Sequence, residues 1–289
     1  MPERFGSALV VLLIVVSAAG AEPIKVVAAE SVYGDIARQI GGANVVVTSI
    51  LTNPNQDPHA FEANASAARA IADARLVIVN GLDYDPWAVK LLSASRPTGR
   101  EVIDVARLAG KRSGANPHLW YDATAVSALA AAVASGLTRI DPARASDTAA
   151  RLARFEASMA PLRERVATLR GRYAGTPVTA TEPVFDYMAA ALGLEMRNTR
   201  FQLAVMNGTE PGAAAIAAFE KDLRSQAVAV LLYNAQTSQT LAVRMRAIAL
   251  EAGVPVVAVT ETEPQGQSYQ QWMLSQLDAL DRALAGARR

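Results

Sequence analysis

The 289-residue chain contains no cysteine and only two histidines. The absence of cysteine excludes disulfides, thiolate metal sites, cysteine nucleophiles and a lipid-bearing cysteine after a signal peptide. Any metal that this chain binds must therefore be held by nitrogen and oxygen ligands. The chain has 28 basic and 27 acidic residues, and its basic residues form no run longer than short pairs. This balance gives no reason to expect nucleic acid as a partner.

The first 21 residues have the pattern of an export signal. Arg4 supplies a positive charge, residues 8–17 are apolar, and residues 19–21 (AGA) match a cleavage site before Glu22. The apolar run is about ten residues long, whereas a membrane-spanning helix needs about 20. We therefore expect cleavage after residue 21 and release into the periplasm without a lipid anchor.

Apolar runs that are typical of buried strands alternate with helical patterns along the rest of the chain. This alternation predicts parallel sheets, in which ligands bind beyond the carboxyl ends of the strands. The sequence predicts an α/β fold of two pseudo-symmetric lobes, residues 22–142 and 174–289, joined by one long backbone helix over residues 143–173. The predicted strands are 24–28, 45–51, 76–79, 176–181, 228–233 and 254–259.

An internal repeat supports the pseudo-symmetry of the two lobes. Residues 29–33 (AESVY) match residues 181–185 (TEPVF) at an offset of 152, and the apolar positions that follow match at the same offset. The shared glutamates are Glu30 and Glu182. Because a glutamate, an aromatic residue and a later glycine recur together, the match indicates duplication more strongly than generic strand-helix packing would.

Both histidines directly follow a proline, in residues 57–59 (DPH) and 116–118 (NPH). Proline restricts its own backbone and that of the preceding residue, so His59 and His118 lie on stiff loops that are suited to hold a ligand. Glu182 and Glu261 follow predicted strands of the second lobe, whose carboxyl ends point at the same cleft. These four side chains predict a His2Glu2 site for a divalent metal, although each glutamate alone could be a helix cap or a solvated residue.

Three further residues remain candidates near this cleft. Glu263 is the alternative fourth ligand if Glu261 does not bind. Asn234 and Gln236 follow the predicted strand 228–233 and could orient a ligand. Because imidazole must be neutral to coordinate a metal, we expect binding to weaken below about pH 6.

Several motifs in chain order resemble the metal-binding solute receptors of ABC transporters, the cluster A-I family for zinc and manganese. The resemblance implies two α/β lobes with a metal buried between them, and a membrane permease of an ABC importer as partner of a monomeric receptor. It also implies ligands at His59, His118, Glu182 and Glu261. The motifs are DPH at 57–59 with FE at 61–62, NGL at 80–82 with PW at 86–87, NPHLW at 116–120, TEP at 209–211, and TE at 260–261 with SY at 268–269.

The metal is less narrowly predicted than the site. Zinc importers of the family commonly carry a histidine-rich loop between the first two ligands, and residues 61–117 contain no histidine. Two carboxylates and the missing loop favour Mn2+ over Zn2+ as cargo, whereas Glu261 stands where manganese receptors usually have aspartate. The competing function is an exported metal-dependent hydrolase. Four protein ligands and no spare catalytic base favour a binding protein that is not an enzyme.

Overall fold

The computed structural model describes residues 22–95, 99–237 and 239–287, so the predicted signal segment 1–21 lies outside the described residues. The first lobe contains a parallel sheet of four strands, β1 (Ile24–Glu30), β2 (Val45–Leu51), β3 (Leu76–Val79) and β4 (Glu101–Asp104). Their order in the sheet is β2-β1-β3-β4. The two central strands, β1 and β3, are mostly apolar because helices cover the faces of a parallel sheet, and every residue of β3 is buried.

Helices follow the strands of this lobe, as expected for parallel connections. The last of them, α5 (Ala123–Ile140), is long and apolar enough to cross a membrane, but Leu129 and Val133 on its inner face are fully buried in the first-lobe core. It is therefore the core helix of this lobe. The helices are α1 (Ser31–Gly41), α2 (Ala65–Asp73), α3 (Pro86–Ala94), α4 (Val105–Leu108) and α5 (Ala123–Ile140).

The segment between the lobes is not the single helix that the sequence predicted. The structure has α6 (Ala145–Ser158) and α7 (Ala160–Tyr173), with a break at Met159. Pro161 explains the break, because proline has no N–H to donate and its ring clashes with the carbonyl four residues earlier. Met159 itself is almost fully buried, so the break is packed inside the protein.

The second lobe repeats the first. Its elements are β5 (Pro177–Ala180), α8 (Asp186–Ala191), β6 (Glu195–Arg197), α9 (Thr199–Met206), α10 (Ala213–Arg224), β7 (Leu231–Asn234), α11 (Thr240–Glu251), β8 (Val256–Val259) and α12 (Tyr269–Ala287). The parallel sheet has the strand order β6-β5-β7-β8, so the first, second, third and fourth strands of the two lobes are arranged in the same way. The structure contains β4 and β6 in addition to the predicted strands, and it begins β7 three residues and β8 two residues later than predicted.

Aromatic side chains fill the boundary between the lobes. Tyr121 of the first lobe contacts Phe185 and Trp272, with ring centroids 5.1 and 5.8 Å apart. The hydroxyl of Tyr269 donates to the backbone oxygen of Trp120 at 3.0 Å. Buried aromatic pairs of this kind contribute beyond their apolar area, so the two lobes are held by a shared core.

Candidate metal centre

Two proline-fixed loops of the first lobe hold the histidines. His59 lies in a short 3-10 turn, and the Asp57 carboxylate accepts a hydrogen bond from its backbone N–H at 2.9 Å. The Asn116 side-chain oxygen accepts from the backbone N–H of His118 at 3.0 Å and lies 2.6 Å from its Nδ1. This contact at Nδ1 turns Nε2 of His118 towards the cleft, which is how metal-binding histidines are usually oriented.

The two glutamates of the second lobe meet these histidines. The Oε2 atom of Glu261 lies 3.3 Å from Nε2 of His118 and 3.4 Å from Nε2 of His59. The Oε1 atom of Glu182 lies 3.8 Å from Nε2 of His59. His59, His118 and Glu261 form the tighter group, with one ligand atom of each within 4.8 Å of the others. The structure thus brings all four predicted residues to one place, with Glu182 at its border.

This place is closed except on one side. His118, Glu182 and Glu261 are at most 3% exposed, whereas the side chain of His59 is 34% exposed. A cavity of about 450 Å3 opens beside His59 and Tyr84, between the 58–63 loop and α3. The site therefore communicates with solvent past His59.

Neutral polar groups hold the two carboxylates. The Asn234 side-chain amide donates to Oε2 of Glu182 and to Oε1 of Glu261, both at 2.7 Å. The Gln236 side-chain oxygen accepts from the backbone N–H of Glu261 at 2.6 Å, and its amide donates to the backbone oxygen of Gln56 in the first lobe at 2.8 Å. Asn234 and Gln236 are in the positions that the sequence predicted for orienting groups.

Tyr84 is a member of the site that the sequence analysis missed. Its hydroxyl donates to Oε2 of Glu261 at 2.9 Å, and its ring packs edge-on against His59 with centroids 5.2 Å apart. Tyr84 follows β3 in the loop that begins with Asn80 and Gly81. A polar aromatic residue past the carboxyl end of a central parallel strand was the available signal.

The charges of the site are coupled. Burial raises the pKa of Glu261, but hydrogen bonds with His118 and His59 outweigh burial and hold that pKa well below its usual range. Burial lowers the pKa of His59, but the Glu261 carboxylate overcomes this effect and raises it to about 9. Burial and the negative charge of Glu261 raise the pKa of Glu182. In the metal-free protein a proton on His59 therefore balances the carboxylate of Glu261.

Glu263, the alternative fourth ligand, lies elsewhere. It is buried beside Asp35 and Arg38 of α1, and its backbone N–H donates to the Ser31 hydroxyl at 3.2 Å. Among the described residues, the group that could hold a metal contains Glu261 and not Glu263.

Comparison with known proteins agrees with this fold. Residues 26–283 match the family model of ZnuA, the periplasmic component A of zinc-uptake complexes. The chain belongs to the ZnuA family. One relative, the manganese ABC transporter substrate-binding lipoprotein PsaA of Streptococcus mitis, is 23% identical over 93% of this chain and 91% of its own length.

Solved structures share the fold of this ZnuA-family chain. The periplasmic zinc-binding protein TroA of Treponema pallidum has a TM-score of 0.74 at 18% identity, covering 91% of this chain and 99% of TroA. The solute-binding protein FpvC of Pseudomonas aeruginosa, solved with Mn2+, has a TM-score of 0.75 at 20% identity, covering 92% of this chain and all of FpvC. The two-lobed α/β architecture of this chain is therefore the fold that TroA and FpvC share.

Proposed function

We propose that this protein captures one divalent metal ion, Zn2+ or Mn2+, between its lobes and delivers it to the membrane permease of an ABC importer. The convergence of His59, His118, Glu182 and Glu261 at one buried place carries the proposal. Imidazole nitrogens and carboxylate oxygens suit both metals. The cargo names of relatives, manganese for PsaA and zinc for TroA, support the same pair of metals.

The charges of the site explain why a divalent ion would be held. Two ionised carboxylates neutralise its double positive charge, and neutral imidazoles complete the shell. Asn234 and Tyr84 keep donating to the same carboxylates, which orients their remaining lone pairs towards the ion. The proton that His59 carries in the metal-free protein is displaced when the ion enters.

The same features favour a receptor over the exported hydrolase. A catalytic zinc site keeps an open position for water, whereas four converging protein ligands close the shell. The polar neighbours of the carboxylates are amides and a hydrogen-bonded tyrosine, which orient ligands at neutral pH and are poor general bases.

Export by residues 1–21 would place the receptor in the periplasm, the location named for its family. Several relatives are named lipoproteins. The 289 residues contain no cysteine to carry such a lipid, so we propose a free periplasmic receptor. We also propose that it acts as a monomer, with the permease as its protein partner.

Chelator competition with purified protein tests the metal site. His59→Ala, His118→Ala and Glu261→Gln should each weaken Zn2+ and Mn2+ binding by more than about 100-fold, because removing a ligand costs more than removing a group that only orients one. Glu263→Gln is the matched control, since it replaces a buried glutamate of the same loop that lies outside the group. Wild-type affinity in His118→Ala would refute the site, and elemental analysis of protein from its native periplasm would name the cargo.

A further inference from the structure

The two lobes can be aligned residue by residue from the register of their sheets. Ala28 pairs with Ile78 in the first sheet, and Ala180 pairs with Leu232 in the second. This register makes Asn80 the counterpart of Asn234, 154 residues later. The helices that follow keep the offset, because α3 begins at Pro86 and α11 begins at Thr240.

These helices expose the same short pattern at equivalent positions. Ala88 and Ala242 are both fully buried, and the next residues, Val89 and Val243, are 50% and 46% exposed. An exposed basic residue follows in both cases, Lys90 and Arg244. Single exposed apolar residues are common and need no explanation. A valine-basic pair that recurs at the same turn of equivalent helices is a different observation, because chance exposure would not follow the pseudo-symmetry.

The two pairs stand beside the metal cleft, one on each lobe. Lys90 lines the cavity that opens at His59. On the second lobe, α11 begins shortly after Gln236, whose side-chain amide bridges to Gln56 of the first lobe and to Thr262. Both helices therefore start at the edge of the molecule where the ion enters.

We propose that Val89 with Lys90 and Val243 with Arg244 are paired docking points for a two-fold symmetric membrane permease. The proposal rests on the proposed function, which supplies the partner. A permease built from two copies of one polypeptide presents the same surface twice, and a pseudo-symmetric receptor can fill both copies only if each lobe offers the same feature. The complementary surface on each permease subunit is a shallow apolar contact bordered by carboxylates.

The basic residues define the chemistry of that border. Lys90 forms no ion pair with another described residue, whereas Arg244 shares the Glu220 carboxylate at 2.6 Å while its own side chain remains 56% exposed. Charges at the rim of an interface mainly steer the encounter and fix its orientation, and the apolar contact at the centre supplies affinity. Val89 and Val243 are therefore the positions whose change should matter most.

Uptake by intact cells tests the docking points. The chromosomal gene is replaced by Val89→Asp, Val243→Asp or the double variant, and accumulation of 54Mn2+ and 65Zn2+ is measured together with the metal affinity of each purified protein. Both single variants should lower uptake several-fold to a similar extent, and the double variant should lower it to background. Metal affinity should stay at the wild-type value, because neither valine is part of the metal site.

Val46→Asp and Leu250→Asp are matched controls. Both residues are 56% exposed, and they lie near the start of β2 and the end of α11. In a parallel α/β lobe these positions are at the amino ends of the strands, opposite the cleft at their carboxyl ends. The controls should take up metal like the wild type. Normal uptake by the double variant, a defect confined to one lobe, or an equal defect in the controls would overturn the proposal.

Photo-crosslinking in the same cells identifies what lies against the two helices. A benzophenone amino acid at position 89 or 243 should link to the same integral membrane polypeptide of an ABC permease, and at position 46 or 250 it should not. A crosslink to a second copy of this chain would overturn the proposal. If both positions reach the permease but the wild type supports no metal uptake, the proposed cargo is wrong and the docking surface stands.

Discussion

Asn234→Ala should weaken metal binding although Asn234 is not a predicted ligand. Its amide donates to Glu182 and Glu261 at 2.7 Å each, so it joins the two carboxylates that the ion must bind. Hydrogen bonds to charged groups contribute about 1.5–3 kcal/mol each to stability. Both bonds also exist in the metal-free protein, so most of that energy is lost from stability and only the orienting part is lost from affinity.

The expected loss of affinity is about 10- to 100-fold, or about 1.4 to 2.7 kcal/mol, the usual effect of removing a group that orients metal ligands. The loss should grow as the pH falls. Without the amide, the two buried carboxylates face each other unshielded, and the pKa of Glu182, already raised by burial and by Glu261, rises further. Protons then compete with the metal more strongly at pH 6 than at pH 8.

Chelator competition at pH 6 and pH 8, with urea unfolding of the metal-free protein, measures both effects. Asn198→Ala is the matched control, because the Asn198 amide donates to Thr179 and Asp222 of the same lobe, away from the metal centre. The control should lose stability and keep its affinity. An Asn234→Ala protein that binds metal within about twofold of the wild type at both pH values would refute the orienting role.

Three other outcomes follow from the structure. Burial and the charge of Asp35 raise the pKa of Glu263 to about 9. The folded state therefore becomes less stable as the pH rises from about 4.5, because this carboxyl ionises readily only in the unfolded chain. In urea titrations, Glu263→Gln should raise the free energy of unfolding by at most about 3 kcal/mol at pH 7 and should not change it at pH 4.5. Since the pKa of His59 is raised to about 9, metal affinity should rise about tenfold per unit between pH 6 and 8, and calorimetry in two buffers should show about one proton released per ion at pH 7. Hydrogen exchange should show metal-dependent protection in residues 181–185 and 260–268, and a larger change along α6 and α7 would identify the connection as the hinge instead.

The sequence predicted the parts of this fold that local patterns encode. Buried parallel strands are apolar runs, and the Pro-His pairs specify stiff loops, so the lobes and both histidines could be found without coordinates. The three-residue strand β6 gives too short a pattern to be recognised. Pro161 was a sequence signal for the break at Met159, but the helix-favouring composition on both sides led to the prediction of one continuous helix.

Contacts between distant residues could not be predicted in the same way. Tyr84 reaches Glu261 across 177 positions of sequence, and no local pattern encodes that contact. The pH range of binding also depends on such contacts, and it stays a prediction. The sequence placed the weakening below about pH 6 from the ordinary pKa of histidine, whereas the Glu261 carboxylate beside His59 raises that pKa to about 9.

The repeated glutamates explain why the two lobes of a duplicated fold supply different metal ligands. Glu30 and Glu182 occupy equivalent positions, but burial and the neighbouring Asp85 raise the pKa of Glu30 well above its usual range. The carboxylate of Asp85 is itself hydrogen-bonded, because it accepts from the backbone N–H groups of Asn80 and Gly81 at 2.7 and 2.9 Å. Both effects favour the neutral form of Glu30, and a neutral carboxyl is a poor metal ligand. Glu182 faces Asn234 and the imidazole of His59 instead, so the second lobe supplies the carboxylates and the first lobe supplies the histidines.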